Sequence, residues 1–75
     1  MNEVPENPIK FVLTQDQWDV YYRYTKLDQE YSEIAKIRKT AVSTVRNLMM
    51  KANNFIERFE ERCAKFEEFK RNFYS

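Results

Sequence analysis

The sequence has no histidine, no glycine, one cysteine and only two prolines. Without histidine it lacks the imidazole on which zinc fingers and Ser-His or Cys-His nucleophile pairs depend. Without glycine it cannot build the Gly-rich loops that cradle phosphate groups. We therefore expect neither an enzyme nor a protein that holds a metal or a cofactor.

The single cysteine, Cys63, excludes an intramolecular disulfide and is typical of a protein from a reducing compartment. Its helical spacing among phenylalanines predicts a small core residue. No apolar run approaches the roughly 18 to 20 residues of a membrane span. Residues 1–10, MNEVPENPIK, are polar and contain proline, whereas a signal peptide is basic and then apolar. We expect a cytoplasmic protein with no membrane contact.

Positive charge is concentrated in one stretch. The chain of 75 residues has a net charge of only +1, yet no acidic residue lies between Glu33 and Glu57. The same stretch contains the cations Lys36, Arg38, Lys39, Arg46 and Lys51. A local cationic surface of this kind is the electrostatic feature that a nucleic-acid-binding protein needs.

The first half of the chain contains a clear helix start. Thr14 and Gln17 have the spacing of a capping box, and Leu13 and Trp18 have that of a hydrophobic staple. We predict that helix 1 begins there and ends near Lys26, with an aromatic core face. Residues 1–12 contain both prolines and are predicted to be mobile or partly docked on the core.

Two further helices are predicted on either side of a short turn. Asp28 is the expected N-cap of helix 2, and Thr40 is the expected N-cap of helix 3, which would start at Ala41. Helices joined by about three residues form a helix-turn-helix candidate. In helix 3 the 3.6-residue period places the following residues inward: Val45, Leu48, Met49 and Ala52.

The last third of the chain is strongly amphipathic. We predict an all-α fold, with a three-helix headpiece at 13–52 and a long C-terminal helix at 53–75. One stripe of that helix, predicted to form a dimer or partner interface, consists of Phe55, Phe59, Phe66, Phe69 and Phe73. Two alternatives stay open at this point. The C-terminal helix can fold back on helix 1 instead of forming an intermolecular interface, and it can be continuous with helix 3 instead of separate from it.

Residues 13–52 resemble a known DNA-binding unit. The matching positions are Leu13-Thr14, Gln17, Val20, Tyr24, Tyr31, Glu33-Ile34-Ala35, Thr44-Val45, Leu48 and Lys51-Ala52. They look like the helix-turn-helix of sigma-70 region 4, which LuxR-type response regulators share in outline. The resemblance implies that helix 3 is the recognition helix and that RNA polymerase is a possible partner.

The chain departs from that family in the turn. Where the family usually has Leu-Gly-Ile-Ser, this sequence has Arg38-Lys39-Thr40-Ala41. Lys39 then occupies the position that favours positive φ, at an expected cost of about 1 kcal/mol for a residue other than glycine. If the turn is shifted by one residue, Ile37 replaces the missing hydrophobic anchor.

The outer face of helix 3 carries side chains suited to the major groove. Arg46 matches guanine O6 and N7, and Asn47 matches adenine N6 and N7. The predicted base-contact residues are Val42, Ser43, Arg46, Asn47 and Met50. The predicted phosphate-contact residues are Lys36, Arg38, Lys39, Thr44 and Lys51.

Three functions are compatible with these patterns. The first is a small DNA-binding transcription regulator that binds double-stranded DNA as a homodimer. The second is a protein-interaction module, similar to sigma region 4, that binds RNA polymerase or another regulator without DNA. The third is a DNA-packaging or replication adaptor of a phage or mobile element. We favour the first, because the cationic stretch coincides with the predicted recognition helix.

Overall fold

A computed structural model describes residues 3–59 and 64–74 of the chain. It contains four α-helices, α1 Gln15–Thr25, α2 Tyr31–Arg38, α3 Val42–Phe59 and α4 Ala64–Tyr74, and no strand within those ranges. The predicted all-α class is therefore confirmed. No helix in this part of the chain combines the length and the apolar character that a membrane crossing requires.

The N-terminal segment is docked on the helices from residue 4 onward. The Asn7 amide donates to the carbonyl oxygen of Leu13 at 2.7 Å and accepts from the Ile9 backbone N–H at 2.9 Å. This loop buries Ile9 and Val12 in the core. The indole N–H of Trp18 donates to the Pro5 carbonyl oxygen at 2.9 Å, which ties the segment to α1.

The start of α1 matches the predicted capping box. The Gln17 backbone N–H donates to the Thr14 hydroxyl oxygen at 3.2 Å, and the Thr14 N–H donates to the Gln17 side-chain oxygen at 3.1 Å. Leu13 and Trp18, the predicted staple pair, are both buried. Two N–H groups at this helix end are thus satisfied by side chains rather than by water.

The two other predicted caps were wrong. Asp28 has a φ of 55° and lies in the loop after α1, whereas Glu30 is the N-cap of α2 and makes no side-chain capping bond. Thr40 does not cap α3 either, because its hydroxyl contacts the Ala41 carbonyl oxygen at 3.5 Å. The first intrahelical bonds of α3 are accepted by the Ala41 carbonyl oxygen, so Ala41 is the N-cap and the helix begins at Val42.

One hydrophobic core joins the N-terminal segment and all four helices. The inward face of α3 consists of Val45, Met49, Ala52 and Ile56, while Leu48, predicted to be inward, is only half-buried. The predicted boundary between headpiece and C-terminal helix, at residue 53, falls inside α3.

The phenylalanines of α4 belong to this core. Phe66 is fully buried, and the Phe69 and Phe73 rings each lie with their centroids 5.8 Å from the Trp18 ring. Lys26, the C-cap residue of α1, donates to the Phe73 carbonyl oxygen and holds its ammonium 4.5 Å from the Phe73 ring centroid. The prediction that Phe66, Phe69 and Phe73 form an intermolecular interface was therefore wrong. These rings find aromatic partners on α1 of the same chain, as in the alternative in which the helix folds back.

Phe55 and Phe59, the other two residues of the predicted interface, lie on α3 and are half-buried against the same core. The predicted core position of Cys63 lies outside the described residues. The prediction also left open whether the C-terminal helix continues directly from helix 3. That question concerns residues 60–63, which lie outside the described residues as well.

Candidate nucleic-acid interface

The turn between α2 and α3 keeps the left-handed geometry that the sequence predicts at Lys39. This residue has φ 58° and ψ 45°. The Thr40 N–H donates to the Ala35 carbonyl oxygen at 2.9 Å, and the Lys39 N–H donates to that of Lys36 at 3.3 Å. These two bonds form a Schellman motif, which usually has glycine in the left-handed position. A turn shifted by one residue would require Ile37 as a buried hydrophobic anchor. Ile37 is instead 43% exposed, so it does not have that role.

The five predicted base-contact residues lie together on the solvent face of α3. Val42, Ser43, Arg46, Asn47 and Met50 are all exposed. The opposite face of the helix is held in the core by Val45, Met49 and Ala52. The helix is therefore held in the core by one side and exposes the other side to solvent.

Exposed cationic side chains precede and follow this face along the chain. Lys36, Lys39 and Lys51 are exposed, as is the hydroxyl residue Thr44. In the ranges that the structure describes, neither these lysines nor Arg46 form a salt bridge. Their charge is thus available to a polyanion.

Arg38 has a different role from the one that we predicted. Its guanidinium lies 2.7 Å from an Asp19 carboxylate oxygen and 3.0 Å from one of Asp16, so it links α2 to α1. Asp19 also pairs with Arg23 at 3.2 Å. Because the Nη1 and Nη2 donors of Arg38 are directed at carboxylates of the same chain, Arg38 is not among the proposed phosphate contacts.

The pKa of Arg38 reflects these contacts. Burial opposes the charge, but the hydrogen bonds to Asp19 and Asp16 outweigh it and raise the pKa above its ordinary value. The titration of Arg38 therefore contributes stability that is present below the pKa of Arg38 in the unfolded chain. This contribution is lost as the pH rises through the folded-state pKa, far into the alkaline range.

Sequence reasoning missed this cluster, although a signal for it was present. Asp16 and Asp19 are one turn apart on α1 and share a face. An arginine at the position where the resembling family has a leucine anchor needs a carboxylate if it is to be buried. The two observations together point to an ion pair in place of a hydrophobic contact.

Comparison of the chain with protein-family models, with curated proteins and with solved structures gave no match. The resemblance to sigma-70 region 4 therefore stays a prediction, and the functional argument depends on the geometry and charge of α3.

Proposed function

We propose that this chain is a small helix-turn-helix DNA-binding protein that places α3 in the major groove, and that it acts as a transcription regulator. The observation that carries the proposal is the exposed outer face of α3 from Val42 to Met50, a stretch that contains no acidic residue. An α-helix fits the major groove, and Arg46 and Asn47 are side chains that form bidentate hydrogen bonds with guanine and adenine.

The arrangement of charge supports the same proposal. Lys36 and Lys39 precede α3 in the chain, and Lys51 follows the base-contact residues along the helix. Cations on both sides of a recognition helix are placed to meet the two phosphate backbones that border the groove. Glu57, the next acidic residue along α3, is exposed about four turns from the helix start.

The alternative of an interaction module without DNA gains no support from the turn. The main basis for that alternative was the altered turn sequence Arg38-Lys39-Thr40-Ala41. The backbone at Lys39 nevertheless has the left-handed conformation that glycine usually adopts in such a turn. A phage or mobile-element adaptor would use the same DNA-binding surface. It differs from the preferred function only in its biological context.

The homodimer stays a prediction, and the structure removes three of its proposed interface residues. Because Phe66, Phe69 and Phe73 are buried in one chain, substituting them tests folding and not association. Sedimentation of the wild-type protein, alone and with DNA, measures the oligomeric state directly.

The proposal is tested by DNA binding of the wild type and of matched variants. We expect wild-type protein to bind a random-sequence duplex at low salt and a duplex enriched by selection more tightly. Arg46→Ala should weaken binding to the enriched duplex by about 1–3 kcal/mol and to the random duplex much less. Glu67→Ala, an exposed change on α4, serves as the control and should leave both affinities unchanged.

Failure of the wild type to bind any duplex at low salt overturns the proposal. If a pull-down then recovers RNA polymerase equally well with wild type and with Arg46→Ala, the interaction module becomes the better assignment.

A further inference from the structure

Two apolar side chains lie on the outer face of α3 and have no partner in the core. Among the described residues the exposed large hydrophobic side chains are Phe11, Tyr24, Ile37, Val42 and Met50. Val42 is 37% exposed and Met50 is 57% exposed, and both belong to α3. A single exposed apolar residue is ordinary on a protein surface. The informative feature is the position of these two on either side of Arg46.

Val42, Arg46 and Met50 follow one another at intervals of four residues along α3. They therefore form one row, with about 6 Å of axial rise between neighbours and about 12 Å between the two ends. Base pairs in a duplex are stacked about 3.4 Å apart, so the row covers roughly three to four base pairs.

We infer that Val42 and Met50 contact thymine methyl groups on either side of the base pair that Arg46 reads. The inference rests on the proposed function and deepens it, because it names the kind of DNA sequence that the helix selects. The thymine C5-methyl is the apolar group that bases display in the major groove, and apolar side chains are its usual contacts. Asn47 beside Arg46 adds a preference for adenine, whose pairing partner is thymine.

The charge around the row favours DNA over an apolar protein surface as its partner. Lys39 and Lys51 are exposed near its two ends, and no acidic residue lies between Glu33 and Glu57. A partner that fits this surface must therefore offer small apolar groups that are surrounded by negative charge. A T·A-containing major groove has both properties.

The experiment starts from a duplex enriched by selection on wild-type protein and replaces each thymine in turn with deoxyuridine, which removes only the C5-methyl. We expect two sensitive thymines, separated by about three to four base pairs, on either side of a G·C pair. Each replacement should weaken binding about 4-fold, the effect of one buried methyl group.

The protein variants assign each methyl contact to a side chain. Val42→Ala should abolish the effect of deoxyuridine at one position and leave the other effect intact, and Met50→Ala should do the reverse. Both changes place alanine at exposed helix positions, where it favours the helix, and circular dichroism verifies the fold. Lys51→Ala is the control, because it should weaken binding to thymine and deoxyuridine duplexes by the same factor.

Binding that is equally tight for thymine and deoxyuridine duplexes overturns this inference and leaves the proposed function intact. Selection that enriches no sequence overturns the inference and also the base contacts of the proposed function, since the protein then binds DNA without reading bases. Complete absence of DNA binding overturns the proposed function together with the inference. Sensitivity to deoxyuridine that persists in the Val42→Ala, Met50→Ala double variant overturns the assignment of the methyl contacts to these side chains.

Discussion

At the scale of single residues, the absence of glycine forces other residues into left-handed backbone conformations. Asp28 and Lys39 both have positive φ in the described part of the chain, and each follows the end of a helix. Aspartate tolerates this conformation because its short polar side chain bonds locally. Lysine has no such compensation, so the turn before α3 carries a conformational cost.

Lys39→Gly should therefore stabilise the protein. We expect the free energy of unfolding to rise by about 1 kcal/mol in urea denaturation, because glycine adopts positive φ without a steric penalty. Lys36→Gly is the matched control within α2 and should lower the free energy of unfolding by about 1 kcal/mol. A less stable Lys39→Gly variant would contradict the left-handed assignment.

At the scale of helices, two kinds of contact hold α2 and α4 against α1. Arg38 ties α2 to α1 mainly through the partly buried carboxylate of Asp19, with side-chain exposures of 19% for Arg38 and 16% for Asp19. The contact of α4 with α1 is aromatic, with the Phe73 ring stacked 5.5 Å from Tyr21. The position of α2 thus depends on an ion pair in addition to burial of Ile34 and Ala35, whereas that of α4 depends on aromatic packing.

Removal of the charge on Arg38 should loosen the link between α1 and α2. We expect Arg38→Ala to lower the free energy of unfolding by about 1–3 kcal/mol, because it leaves Asp19 partly buried without this partner. Asp16→Ala removes the exposed end of the same network and should change stability by less than about 1 kcal/mol. Equal effects of the two changes in denaturant titrations would show that burial of Asp19 is unimportant.

Truncation in α4 should unfold the chain rather than dissociate it. Phe66→Ala is expected to lower the free energy of unfolding by about 3–5 kcal/mol, because Phe66 is fully buried. The neighbouring exposed change Glu68→Ala should stay within about 0.5 kcal/mol of wild type. Thermal melts at several protein concentrations distinguish the two roles. Loss of stability that depends strongly on concentration would instead indicate a subunit interface.

At the scale of the whole molecule, the small net charge hides a separation of charge along the chain. Residues 34–56 contain five basic side chains and no acidic one, whereas residues 3–33 contain seven acidic side chains and three basic ones. Such a distribution orients the protein toward a polyanion without a large total charge. Its measurable consequence is the salt dependence of DNA affinity.

We expect log affinity to fall with log salt with a slope of about −3. Each neutralised phosphate contributes roughly −0.9. The proposed phosphate contacts include three exposed lysines, Lys36, Lys39 and Lys51. Lys36→Ala should make the slope shallower by about 1, whereas Lys10→Ala, on the N-terminal segment, should leave it unchanged. A Lys36→Ala slope equal to that of the wild type would remove Lys36 from the interface.

Some of these features were predictable from sequence because they depend on neighbouring residues. The capping box at Thr14, the strain at Lys39 and the outward face of Val42 and Arg46 all follow from local spacing and the 3.6-residue period. The caps at Asp28 and Thr40 were mispredicted, since α2 begins after Glu30 without a side-chain capping bond and α3 begins after Ala41, which has no polar side chain.

The sequence by itself determined that the chain is all-helical, which residues of α3 share its outer face, and that no acidic residue lies between Glu33 and Glu57. Only the tertiary structure decided that the phenylalanines of α4 pack on Trp18 and that Arg38 binds Asp16 and Asp19. The reason is physical. A helical period shows which side of a helix is apolar, but several surfaces can bury a phenylalanine or pair an arginine equally well. The choice among them depends on contacts between residues that are far apart in the chain.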